Sequence, residues 1–413
     1  MRSPAGVLSA LRRFSLVVLL AGMLVAMFAS GIRQSFGLFL LPMTRAHGWG
    51  REAFAFAIAL MNLNFGIIQP LAGMVADRWG SGRVLIVGGI CYALGTFFMS
   101  RAETPLALAL SAGLLVSVGL GASGFAIVFG AVSRTAPPQL RTLYMTIAAA
   151  GGSLGQFLLI PLGQSLITTE GWQSALVTMG SLALALPLLA VILMGRAERS
   201  TTVTGEAVSP VQALRRAGSE RRYWLLFWGF FVCGFHVAFI INHLPAFLVD
   251  QGISPRMGAL TLSLIGLFNI AGSLILGGLG GRYSKRKLLC GIYLGRAVVM
   301  ALLMILPLSL VTLMGFAGVM GFLWLATVPL TGSLVGQMYG VRYLSTLYGV
   351  VFLGHQVGSF LGVWLGGWVF DHLGSYTPMW WLSMALGLLS AAIHWPIDER
   401  SPEELNASLT APA

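Results

Sequence analysis

The chain has 413 residues, of which 57% are hydrophobic and 9% charged, against about a quarter charged in soluble globular proteins. That composition excludes an ordinary soluble enzyme, and apolar runs of about 20 residues recurring along the whole length point to membrane-spanning helices. A formal net charge of +12 would suggest nucleic acid in a soluble protein, so the placement of the basic residues decides how that charge is interpreted.

Cutting the sequence where charges, proline and glycine-rich turns cluster predicts twelve apolar segments, at 15-42, 52-76, 84-100, 106-133, 142-167, 173-195, 222-248, 257-281, 288-306, 308-338, 343-370 and 378-397. The runs are unbroken, which excludes the alternating strands of a membrane barrel. Segment one follows Arg12 and Arg13 in the manner of a signal peptide, but it continues past Arg33 to Met43. It is too long for a cleaved leader and reads as a retained helix. The long polar stretch after segment six divides the chain into an N-terminal six-helix half (1-195), a cytoplasmic linker (196-221), a C-terminal six-helix half (222-397) and a cytoplasmic tail (398-413).

Lys and Arg accumulate on the cytoplasmic side of membrane proteins. With both termini placed inside, 19 of the 25 basic residues fall on inner segments, and only Arg45, Arg51, Arg101 and Arg256 fall on outer loops. The expected placement is therefore a multi-pass protein of the cytoplasmic (inner) membrane with both ends cytoplasmic. Membrane lipid, and not nucleic acid, is the partner that accounts for the charge. The remaining two, Arg33 and Arg296, lie within apolar segments.

An internal echo suggests nested repeats. Gly73-Met74-Val75-Ala76-Asp77-Arg78-Trp79-Gly80-Ser81 closes segment two, and Gly367-Trp368-Val369-Phe370-Asp371-His372-Leu373-Gly374-Ser375 closes segment eleven, with G, V, D, G and S at the same spacing. If each half is two three-helix units of opposite topology, segments two and eleven hold equivalent places, as in the inverted repeats of secondary transporters.

Twelve helices, a basic central linker and the Gly73, Asp77, Arg78, Gly80 and Arg83 loop resemble the major facilitator superfamily over the whole chain. The loop's usual basic pair is reduced here to Arg83. Within that superfamily, Gly31-Ile32-Arg33-Gln34-Ser35-Phe36-Gly37-Leu38-Phe39, then Gly48-Trp49-Gly50-Arg51, and the stretch from Gly367 to Tyr376 resemble the monocarboxylate porters and their oxalate/formate antiporter relatives. The resemblance implies an all-α membrane fold of twelve helices in two halves and a rocker-switch carrier. It also implies a monomer, a conformational-switch loop at Gly73 to Arg83, and a central cavity with helices three, six, nine and twelve peripheral. The family's helix-eight Asp and Arg fall at Asn269 and Ser273, and its helix-one Lys falls at Gln34, beside Arg33.

Arg33 is the leading candidate for substrate binding, because a guanidinium at membrane depth needs a cavity or a partner and its fork suits a carboxylate. Ser30 and Gly37 flank it as a small face; the bland alternative is an Arg bonded to helix-end carbonyls. Arg296 reads as structural, snorkelling toward the cytoplasmic face. All 13 acids map to loops or helix ends, so histidine supplies the titratable groups at depth. His236 and His355 are the proton-coupling candidates, against the alternative of helix packing. Gln34, Asn62, Asn269 and Gln356 are expected to line the cavity beside them, although interhelical bonding is the ordinary use of membrane amides.

Enzyme-like patterns are decoys. Gly119-x-Gly121-x-x-Gly124 and Gly151-x-Ser153-x-Gly155 lie inside apolar helices without the strand their chemistry requires. Cys91, Cys233 and Cys290 have no metal-ligand spacing, so no metal, cofactor or catalytic residue is expected. The functional expectation is a secondary active transporter of a small organic anion, a monocarboxylate, coupled to protons by alternating access. An efflux carrier for amphipathic compounds and a non-transporting membrane sensor are the alternatives.

Overall fold

The computed structural model describes residues 4–137, 140–194, 210–340 and 343–401. Most of the expected linker and the tail beyond 401 lie outside the described residues. Among the described residues the secondary structure is helical throughout, with no strand. Eleven helices or helical runs among the described residues are long and apolar enough to cross a membrane, and an eighteen-residue helix, Thr377–His394, follows them.

Segment one is α1 (Pro4–Ser35), a tight turn at Phe36–Phe39 and α2 (Leu40–His47). Segments two and three are α3 (Arg51–Trp79) and α4 (Ser81–Met99). Segment four is divided into α5 (Pro105–Leu108), a widened π stretch at Ala109–Val116, α6 (Ser117–Ala122) and α7 (Phe125–Thr135). Segment five is α8 (Arg141–Glu170), and segment six is α9 (Trp172–Ala183) with α10 (Ala185–Ile192). After α11 (Pro210–Gly218) come α12 (Arg221–Asp250), α13 (Pro255–Leu279) and α14 (Lys285–Ile305). Segment ten, expected as one helix, is two: α15 (Leu310–Phe322) and α16 (Thr327–Tyr339). The chain closes with α17 (Leu344–Leu373) and α18 (Thr377–His394).

Two compact units emerge, one of residues Met1–Ser200 with Ile241–Leu267, the other of Thr201–Ile240 with Phe268–Ala413. In the first unit α1 and α8 meet backbone to backbone, because a Cβ on Gly31 would strike the Gly155 carbonyl, and Cβ atoms on Gly151 and Gly155 would strike the carbonyls of Met23 and Met27. The second unit repeats the device between α12 and α17: Gly234 lies on the His355 carbonyl, and Gly358 and Gly362 lie on those of Phe231 and Phe235. Close approach through small residues is how membrane helices gain contact where lipid supplies no hydrophobic drive. Both glycine strings that mimic enzyme motifs are seams of this kind, since Gly119 packs on Tyr92 in the same way.

The echoed loops share a physical function. Gly80 and Gly374 each follow the last residue of a helix with positive φ, 92° and 66°, and each amide closes the final turn at 2.8 Å, on Ala76 O and Phe370 O. A side chain at either place would be strained.

Candidate functional site

Arg33 stands in the last turn of α1, just before the tight turn that bends segment one. Its Nη1 donates to Asn62 Oδ1 at 3.4 Å, a long bond. Asn62 is itself oriented, because its Nδ2 donates to Ile58 O at 2.9 Å along α3 and so turns its oxygen toward the guanidinium. Tyr92 on α4 is fully buried and donates to Ala29 O at 2.8 Å, one turn before Arg33. Among the described residues no carboxylate pairs with Arg33. Gln34 is buried next to it. The small face expected beside Arg33 is partly filled: a Cβ on Gly37 would strike the carbonyl of Ile241, so α12 backbone occupies that flank.

In the second unit His355 and Gln356 come together, His355 Nδ1 lying 3.0 Å from Gln356 Oε1. The imidazole is stacked on Phe352 at 5.5 Å between centroids and tilted against Phe230 at 4.9 Å. Its ring also meets the Cys233 thiol, and its Nε2 is buried with no nitrogen or oxygen partner among the described residues. His236 is fully buried and faces α18, where its Nε2 lies 2.7 Å from Ser383 O and its ring edge would meet a Cβ on Gly387. Asn269 is committed to helix structure, since its Oδ1 accepts Leu325 N and Ser273 Oγ, each at 3.0 Å. Thus Arg33 with Asn62, and His355 with Gln356, form local pairs, while His236 and Asn269 each address a different helix.

In the loop after α3, Gly80 is the helix stop described above and Gly73 has open space around it. Arg78 and Arg83 are exposed, and the side chain of Asp77 lies outside the described residues. Arg296 departs from expectation. Snorkelling would leave its head at the surface, yet the residue is fully buried and its guanidinium bonds the carbonyls of Leu323 and Trp324 on segment ten. Sequence reasoning also passed over Arg51, whose guanidinium makes a bidentate pair with Asp250 at 2.6 and 2.8 Å. The sequence separation of 199 conceals that pairing from any local pattern.

The model of the Major Facilitator Superfamily matches residues 19–328. The chain belongs to that superfamily. The uncharacterized MFS-type transporter YcxA of Bacillus subtilis (strain 168) is 24% identical over 96% of this chain and 99% of its own length. Monocarboxylate transporter 13 of Rattus norvegicus is 27% identical over 91% of this chain and 87% of its own. Among solved structures, a bacterial homolog of the human lysosomal transporter Spinster, inward-facing and occupied, superposes with a TM-score of 0.70 at 16% identity, covering 92% of this chain and 95% of that one. The nucleoside transporter NupG gives 0.75 at 13% identity, over 93% and 99%. Membership makes this superfamily chain a multi-pass membrane transporter and not an enzyme.

Proposed function

We propose that this superfamily member is a secondary active transporter of small monocarboxylates, with Arg33 as the residue that binds the carboxylate. One observation carries the reading. Arg33 is a membrane-depth guanidinium near the Tyr92 hydroxyl whose described side-chain hydrogen bond is a single long one to a neutral amide, so its fork suits a bidentate anion. The relatives named as monocarboxylate transporters support the same substrate class. Proton coupling is the finer part of the proposal, with His355, whose ring meets Gln356 and the Cys233 thiol at depth, as first candidate and His236 as the second. The proposal includes monomeric action, two six-helix halves joined by the 196-221 linker, and placement in the inner membrane with both termini cytoplasmic.

The test is uptake of a panel of radiolabelled monocarboxylates into proteoliposomes, with and without an inward proton gradient, run in parallel with Arg33→Gln. A charge-assisted hydrogen bond is worth about 1.5–3 kcal/mol, so the substitution should raise the apparent KM about 10- to 100-fold while the protein stays folded. Unchanged kinetics in the variant would sink the clamp. The gradient arm separates coupled from uncoupled transport, and loss of the gradient effect in His355→Gln would assign the proton to that ring. The assay's pH range leaves the surface pair Asp398–Arg400 alone, since hydrogen bonds from Arg400 hold the Asp398 carboxyl down to about 2. A group lowered in this way contributes stability at ordinary pH and loses it only as pH falls through that value.

A further inference from the structure

Segment ten begins a second helix inside the second unit. Pro329 has no N–H to give the Leu325 carbonyl four residues back, that carbonyl takes Val328 N at 3.0 Å instead, and the run Leu310–Tyr339 is divided between Phe322 and Thr327. Thr327 is therefore the first residue of a thirteen-residue helix, at the end where the backbone dipole is positive.

Three other helices bring side chains to this point. From α14, the fully buried Arg296 donates to the carbonyls of Leu323 and Trp324. From α12, the equally buried Cys233 lies with Sγ 3.1 Å from Thr327 Oγ1. The guanidinium and the sulfur thus address the same short stretch of segment ten. From α17, the His355 ring meets the thiol, and Gly234, next to Cys233 in the chain, rests on the His355 carbonyl.

No carboxylate pairs with Arg296 among the described residues. Carbonyls give it hydrogen bonds without charge, and its Nη1 is buried with no hydrogen-bond partner there. An enclosed cation calls for a counter-charge. The other ionisable groups nearby do not provide one. Tyr293 of α14 and Tyr348 of α17 lie near the sulfur, but phenols hold their protons to about pH 10. His394 of α18 is stacked on Tyr293 at 5.0 Å, and His236, one turn along α12, is turned to Ser383 O; an imidazole is neutral or positive. That leaves Cys233, beside a helix N-terminus, an arginine and a histidine, the neighbours that stabilise a negative sulfur.

We propose that Cys233 is the residue that loads and unloads the coupled proton, with Arg296 as its counter-charge and the His355 ring as the route to water. On unloading, the S–H bond breaks, its electron pair stays on sulfur and the proton leaves through the imidazole, so no electron changes hands and the Cys233–Arg296 pair is neutral. Loading leaves the pair with one positive charge, which a monoanion cancels. One proton then accompanies each monoanion, and transport moves no net charge. The inference rests on the transport reading and deepens it.

The test uses the full chain with Cys91→Ala and Cys290→Ala, which leaves Cys233 as its one thiol, in proteoliposomes. Infrared absorption in the S–H stretching region reads the proton on that sulfur without any substrate. The band should weaken and return reversibly as pH is cycled through the range used for uptake. In the transport arm, Cys233→Ser keeps the size and the bond to Thr327 but holds its proton. It should lose all stimulation by an inward proton gradient, while exchange of internal for external monocarboxylate, which moves no net proton, continues. Cys233→Asp, which puts an acid back beside Arg296, should recover the gradient effect. An S–H band of constant strength over the whole range, or gradient stimulation intact in Cys233→Ser, would overturn the proposal. Uptake of no acid on the panel would sink the transport reading instead, and the infrared arm would still decide whether Cys233 exchanges a proton.

Discussion

Asn62 and Arg33 give a sharp case at the level of single side chains. The Asn62 oxygen is aimed at the guanidinium by its own amide's bond to Ile58 O. Replacing it by Asp keeps the shape and adds a charge, but gives up the bond that the Asn62 amide donates to Ile58 O. If Arg33 is the carboxylate clamp, Asn62→Asp supplies a resident carboxylate that competes with substrate. Uptake should then fall by at least tenfold in a protein that stays folded, since the half-buried guanidinium gains a charged partner in exchange for the bond to Ile58 O. Retained uptake in a folded Asn62→Asp protein would mean that the anion binds elsewhere. The candidate pair was half legible in the sequence. Arg33 announces itself because charges at membrane depth are rare, and depth along its segment favours Asn62, but the sequence does not show that Asn62 bonds Arg33 while the amide of Asn64 is spent on Gly113 O at 2.8 Å. Only the turn of α3 against α1 separates the two.

Helix packing explains why the glycines carry so much of the architecture. On α17, Gly358 lies against the Phe231 carbonyl whereas Gly349 has nothing near its missing Cβ. Gly358→Ala should therefore force α12 and α17 apart at a cost of about 1–3 kcal/mol, read as a lowered melting temperature and reduced monodispersity in detergent. Gly349→Ala should be neutral or stabilising by about 0.5–1 kcal/mol, from helix propensity alone. Equal behaviour of the two variants would refute the seam. Most helices were visible in the sequence because length and apolarity decide a span. The interruptions were not. A hydropathy window runs straight through Leu323–Ala326, all of it apolar except for backbone groups, and the sequence hint was Pro329 alone. The burial of Arg296, where snorkelling was expected, is hidden for the same reason: its partners are carbonyls, which every residue has and no pattern marks.

Across the whole molecule, the first compact unit includes Ile241–Leu267 from the second half of the sequence, and polar bonds tie that stretch to the N-terminal helices. Arg51 grips Asp250 with both nitrogens, Gln156 Nε2 donates to Leu262 O at 2.9 Å, and Ser263 Oγ donates to Phe157 O at 2.6 Å. Under the proposed alternating-access reading, contacts between the sequence halves break and re-form in each cycle, and a set joining residues 199 apart belongs to one state of that cycle. The ion pair is the part that can be tuned without disturbing helix packing, since its side chains keep 12% and 24% of their surface exposed. At that exposure such a pair is worth up to about 1 kcal/mol, enough to change the population of an opened form about fivefold. Ser263 is almost fully buried and provides the reporter: with Ser263→Cys as background, Arg51→Gln should speed labelling by a membrane-impermeant maleimide about fivefold. Raised salt should do the same to the parent and not to the variant. Exchanging the charges, as Arg51→Asp with Asp250→Arg, should restore slow labelling, because the attraction survives although the geometry is no longer bidentate. A labelling rate indifferent to all three changes would show that the pair decorates the surface and that the buried bond of Gln156 and helix packing hold this face together.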